Sequence, residues 1–101
     1  MVIVSGKLYV DSATRSRYLD ACRVVIEQAR RARGCVDFHL SADPLEEDRI
    51  NVYEQWESVA DVEAFRGSGP DADQTAAIVA AHVVQYEVTA SVNLSGDASE
   101  D

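Results

Sequence analysis

Arg49-Ile50-Asn51-Val52-Tyr53-Glu54-Gln55-Trp56 alternates in character, and the residues behind it, Glu57-Ser58-Val59-Ala60-Asp61-Val62-Glu63-Ala64-Phe65, do not. In an extended chain successive side chains leave on opposite faces. Ile50, Val52, Glu54 and Trp56 therefore share one face, and Asn51, Tyr53 and Gln55 the other. Past Trp56 the period lengthens. Ser58 with Asp61 three residues on reads as a helix start, and Val59, Val62 and Phe65 recur at helical spacing. A strand thus delivers the sole tryptophan into a helix. A junction of this kind can form one wall of a pocket between a sheet and its helices.

The chain before this stretch supplies three more elements. Residues 2–10 are rich in β-branched and aromatic side chains and read as a strand, with Gly6 marking a bulge or a close approach by another group. Asp11-Ser12 supplies a helix cap. From Ala13 to about Arg33, Tyr18, Leu19, Cys22, Val25, Ile26 and Ala29 form one apolar stripe of an amphipathic helix. Six of the nine basic residues lie here. Three of them, Arg30, Arg31 and Arg33, crowd the last turn, where they complement the helix dipole, and Gly34 follows as a stop, so this basic face reads as solvated. Cys35 to Ala42 alternates again, with Val36, Phe38 and Leu40 on one side and Asp37, His39 and Ser41 on the other. Residues 43–48 make the hairpin turn into the 49–56 strand. Their four acids lack the glycine and the spacing of a calcium loop and read as a solvated tip.

After Phe65, Arg66-Gly67-Ser68-Gly69-Pro70 breaks the helix, and residues 71–80 are expected to form another short one. A last strand runs from His82 to about Val92, with His82, Val84 and Tyr86 on one face. Residues 95–101 read as an unfolded acidic tail behind one domain spanning 1–94. The order strand, helix, strand, strand, helix, strand predicts an α+β, ferredoxin-like βαββαβ unit with an antiparallel sheet and helices on one face. Several strands are apolar or bulky on both sides: Val4 and Leu8 against Ile3 and Tyr9, Val52 against Tyr53, Val84 against Val83. A face left to water should alternate more cleanly, so a two-fold homodimer is expected over the uncovered face.

Composition excludes several classes of partner. The net charge is −9, and −6 remains on the body once Asp97, Glu100 and Asp101 are set aside. That argues against nucleic acid and against an anionic membrane surface, both of which are gripped by lysine and arginine. No stretch approaches the ~20 apolar residues of a membrane span, and Val2–Val4 is too short for a signal peptide. A cytoplasmic protein is expected, with Cys22 and Cys35 reduced.

Gly34-Cys35-Val36-Asp37-Phe38 after a long helix, followed by Tyr53-Glu54-Gln55-Trp56-Glu57-Ser58 leading into a short one, resembles the antibiotic biosynthesis monooxygenase family. The resemblance covers roughly residues 2–92, and Glu54, Trp56 and Ser58 carry its most specific element. It implies a dimeric α+β barrel with a pocket between sheet and helices in each subunit. It also implies oxidation of an aromatic or quinol-type substrate by O₂ without metal or flavin, with the substrate's own anion reducing oxygen in an apolar cavity. Trp56 matches the family's pocket tryptophan and, with Glu54 and Arg66, makes the expected catalytic set, while Phe38, Phe65, Tyr86 and Val52 are expected to line the substrate side. Many relatives carry a histidine about nine residues after the tryptophan, where Phe65 stands, followed by Arg66. Haem-degrading relatives carry an asparagine on the first strand, where Gly6 stands. A ligand-binding module that keeps the fold without the chemistry, and a cyclase acting on polyketide-like substrates, are the competing readings.

Glu54 shares its face with Val52 and Trp56, and a partly buried carboxylate needs a partner or a raised pKa. It is either ion-paired, with Arg66 as the candidate, or the acceptor of a proton from a phenolic substrate. His39 should point away from Phe38, toward a dimer interface or solvent, and His82 should be exposed. The two make no metal-binding spacing.

Overall fold

The computed structural model describes residues 1–67 and 76–96. Four antiparallel strands, β1 (Val2–Tyr9), β2 (Cys35–Ala42), β3 (Arg49–Trp56) and β4 (Ala80–Glu87), form one sheet in the order β2-β3-β1-β4. Helix α1 (Arg15–Arg31) packs along β2, and the short α2 (Val59–Arg66) leans on β3. This is the ferredoxin-like arrangement that the element order predicts. Val2, Val4, Ala29, Phe38, Trp56 and Val62 form the buried core between sheet and helices.

Local chemistry sets the element ends. Asp11 accepts a hydrogen bond from the Ala13 backbone N–H at 2.9 Å and caps a 3-10 turn (Ser12–Thr14) ahead of α1. Ser58 caps α2 by accepting from the Asp61 N–H at 3.1 Å, and its hydroxyl donates back to Asp61 Oδ2 at 2.9 Å. Gly34 ends the α1 connection at φ 82°, in the left-handed region that glycine adopts without strain. A side chain there would also strike the Asp61 carboxylate, 2.1 Å from where a Cβ would lie.

Three expectations shift. The alternation of β2 is broken, because its register against β3 slips between Cys35 and Asp37 and leaves Val36 as an extra residue, 53% exposed. Val36 is therefore not on the face of Phe38 and Leu40. The bulge lets Cys35 and Phe38 both reach the helix side. The last strand runs from Ala80 to Glu87 rather than from His82 to Val92, because its partner β1 offers eight residues to pair with. One further bond, from the Val88 N–H to the Met1 carbonyl, follows at 2.9 Å. Of the helix expected at 71–80, the first five positions lie outside the described residues, as do most of the Gly67–Pro70 break and residues 97–101 of the tail. Ala76 is helical, and Ala80 already belongs to β4.

Gly6 resolves as a close approach. A Cβ there would sit 2.0 Å from the His82 carbonyl oxygen of β4. The absence of a side chain is what allows β4 to pair so tightly with β1.

Candidate functional site

Register builds the site. On the helix side of the sheet, Phe38 pairs with Glu54, Glu54 with Val4, and Val4 with Gln85, so one rung crosses all four strands. The next rung runs Leu40, Val52, Gly6, Val83. These rungs floor a cavity of about 460 Å³, and Tyr18, Cys22 and Val25, at i, i+4 and i+7 on α1, form its roof. Arg66, at the end of α2, and Ile78 stand at its rim. Gly6 contributes no side chain, so the second rung leaves room above it.

The walls are mostly apolar, with polar groups gathered at one end. Glu54 Oε1 accepts a hydrogen bond from the Trp56 indole Nε1–H at 3.0 Å and lies 4.0 Å from Arg66 Nη2. Arg66 Nη1 donates to Gln85 Oε1 at 3.1 Å. The Glu54 side chain is 13% exposed and that of Arg66 47%. Burial pushes the Glu54 carboxyl above its usual range, against the lowering influence of the Trp56 N–H and then of the Arg66 charge. Burial also raises the Tyr18 hydroxyl, with the neighbouring Cys22 adding to it, and raises the Cys22 thiol. Glu54, Tyr18 and Cys22 are thus all pushed toward their neutral forms, as in a poorly hydrated hollow.

The expected site residues divide into three sets. Phe38, Val52, Glu54 and Arg66 come together around the cavity. Trp56 and Phe65 do not line it. Trp56 is fully buried one layer behind, with the Phe65 ring 5.4 Å from it and Phe65 in turn 5.8 Å from Phe38. The indole is therefore packed in the interior instead of forming a wall, and its polar link to the site is its bond to Glu54. Tyr86 is on the wrong face: it pairs with Ile3, so it points to the uncovered side of the sheet, where it is 53% exposed. His39 is on that side too, as expected, stacked on Tyr53 at 5.3 Å. Tyr18, Cys22 and Gln85 join the site without a motif of their own to mark them. The α1 stripe contains the first two, and Gln85 is found once Gly6 fixes β4 against β1. Among the described residues no three metal-binding side chains converge.

The model of the antibiotic biosynthesis monooxygenase family matches residues 1–85. The chain belongs to this family. No curated protein matches it. Among solved structures, a Nitrosomonas europaea protein described as a candidate antibiotic biosynthesis monooxygenase is 20% identical and superposes with a TM-score of 0.74, covering 87% of this chain and 98% of its own. A conserved protein from Methanosarcina mazei is 14% identical with a TM-score of 0.76, covering 87% and 92%. MhuD, a heme degrader from Mycobacterium tuberculosis solved with two hemes in its active site, is 18% identical with a TM-score of 0.67, covering 92% and 100%. At these identities the likeness is one of fold.

Proposed function

We propose that this antibiotic biosynthesis monooxygenase domain is a small oxygenase that oxidises an aromatic or quinol-type metabolite with O₂, without metal or flavin, in the cavity between the sheet and α1. The observation that carries the reading is Glu54, a carboxylate with raised proton affinity at the polar end of an otherwise apolar hollow large enough for a fused-ring substrate. A substrate hydroxyl gives its proton to Glu54, and the resulting electron-rich anion reduces oxygen. One oxygen atom stays in the product and the other leaves as water, with all the electrons drawn from the substrate. Trp56 holds the carboxylate in place, and Phe38 and Val52 pack the ring. We also infer that the protein works as a cytoplasmic homodimer, with two copies covering each other's bare sheet face.

Heme degradation, the activity named for MhuD, fits this chain less well. The family's first-strand asparagine would stand at Gly6, where even a methyl group meets the His82 carbonyl. The family's helix histidine would stand at Phe65, which packs against Trp56. A binding module without chemistry is the second reading, favoured by the position of Trp56 behind the cavity instead of in its wall. Oxygen consumption with a panel of hydroxyanthrones and quinols decides between them. Uptake that disappears in Glu54→Gln supports the oxygenase. Binding without uptake leaves the module, and ring closure without uptake points to a cyclase.

A further inference from the structure

Arg66 is the one cation among the described residues lining the cavity, and it is held from two sides: Gln85 at 3.1 Å and Glu54 at the longer 4.0 Å. Gln85 uses its amide oxygen for this bond and comes from the edge strand β4, on the same rung as Glu54. Nearly half of the Arg66 side chain is exposed, so it can turn without disturbing the core. Among the described residues lining the cavity there is no second positive charge; Arg30 of α1, which faces Cys35 and donates to the Phe38 carbonyl at 2.8 Å, lies outside the lining. The titratable groups around Glu54 are Tyr18 and Cys22 from α1 and Cys35 from β2, while β1 and β4 present the neutral Val4 and Gln85.

An anion in such a hollow has one place to find compensation. When a ligand hydroxyl ionises, its proton neutralises Glu54, and Arg66 loses the charge it faced. The guanidinium is then available to the new oxyanion. We propose that Arg66 is a counter-ion that passes from Glu54 to the ligand oxyanion, that Gln85 is the positioning residue that keeps it at the rim for this exchange, and that the site therefore selects ligands bearing an acidic aromatic hydroxyl. The step balances: the ligand O–H bond breaks, the proton goes to the Glu54 carboxylate, the electron pair stays on the ligand oxygen, and nothing is oxidised. This inference rests on the cavity being the ligand site, but not on oxygen chemistry.

The probes are 4-nitrophenol, whose neutral and ionised forms differ in absorption, and its neutral methyl ether, 4-nitroanisole. Binding is followed by calorimetry and the bound form by its spectrum, at a pH below that at which free 4-nitrophenol ionises. Wild type should bind 4-nitrophenol as the phenolate. Gln85→Leu should still bind both probes but lower the phenolate-to-phenol ratio about fivefold, the effect of losing one hydrogen bond that holds the cation in place. Arg66→Met should abolish the phenolate signal, and Arg66→Lys should restore part of it. Both positions are exposed, so the variants should fold. Bound 4-nitrophenol that stays neutral in wild type, or an unchanged ratio in Gln85→Leu, would overturn the exchange while leaving the cavity as a ligand site. Failure of wild type to bind either probe would overturn the cavity reading, and this inference with it.

Discussion

Glu54 carries a stability penalty for its position. Its folded pKa is raised, so at low pH both folded and unfolded chains hold the proton and there is no penalty. As pH climbs, the unfolded chain ionises first, and stability falls until the folded carboxyl ionises as well. Glu54→Gln, whose amide oxygen can still accept the Trp56 N–H, should therefore melt higher than wild type at neutral pH. The gain should shrink toward zero in acid, as thermal melts across pH would show. Trp56→Phe keeps the ring packing but removes the donor that lowers the Glu54 pKa, so the Glu54 midpoint should rise, measurable by NMR titration of its carboxyl. The alternating stretch at 49–56 made it legible that Glu54 and Trp56 share a face. It could not reveal depth. Period two assigns a side of the sheet, and only the aromatic packing of Phe65 and Phe38 places the indole behind the cavity.

At the scale of elements, the joints are the most demanding positions. Gly34→Ala combines a left-handed backbone with a collision against Asp61 and should cost at least about 1–2 kcal/mol in urea unfolding. The β2–β3 turn is knotted by Arg15, whose Nη1 donates to the carbonyls of Asp43, Glu46 and Arg49 at 3.3, 2.8 and 3.2 Å. Asp43 is held down to about 2, first by the Asn51 amide and then by the Glu46 and Leu45 N–H groups. A carboxyl depressed in the fold stabilises above its unfolded pKa and loses that effect as pH falls through the folded one. Asp43→Asn should flatten the loss of stability between about pH 4 and 2, read from melts in that range. The turn was legible as a solvated tip from its acids, but this knot was not, because Arg15 lies 28 residues from Asp43. Tyr86 was misplaced for a related reason. The pattern of β4 gives two faces without saying which is inward, and the pairing of Gly6 with Val83 decides it.

For the molecule as a whole, the sheet face without helices carries Ile3, Tyr53, Val84 and Tyr86. Under the homodimer reading, Tyr86→Lys should shift sedimentation from twice the chain mass toward a single chain while leaving the circular dichroism of the fold intact. Wild type sedimenting as one chain would remove the dimer. Fold class and element order were legible because hydrophobic period and turn chemistry act locally. A pocket was legible but its full lining was not, since floor, roof and rim come from seven separate elements or connections. The rung Phe38–Glu54–Val4–Gln85 has a further meaning. Each strand lends it one member, drawn from chain positions that span most of the sequence, so no fragment of this protein can own a partial version of the site. Under the reading of this cavity as the ligand site, recognition arrives only with the final strand, all at once, and any evolutionary change that loosens β4 would loosen site and architecture in the same stroke.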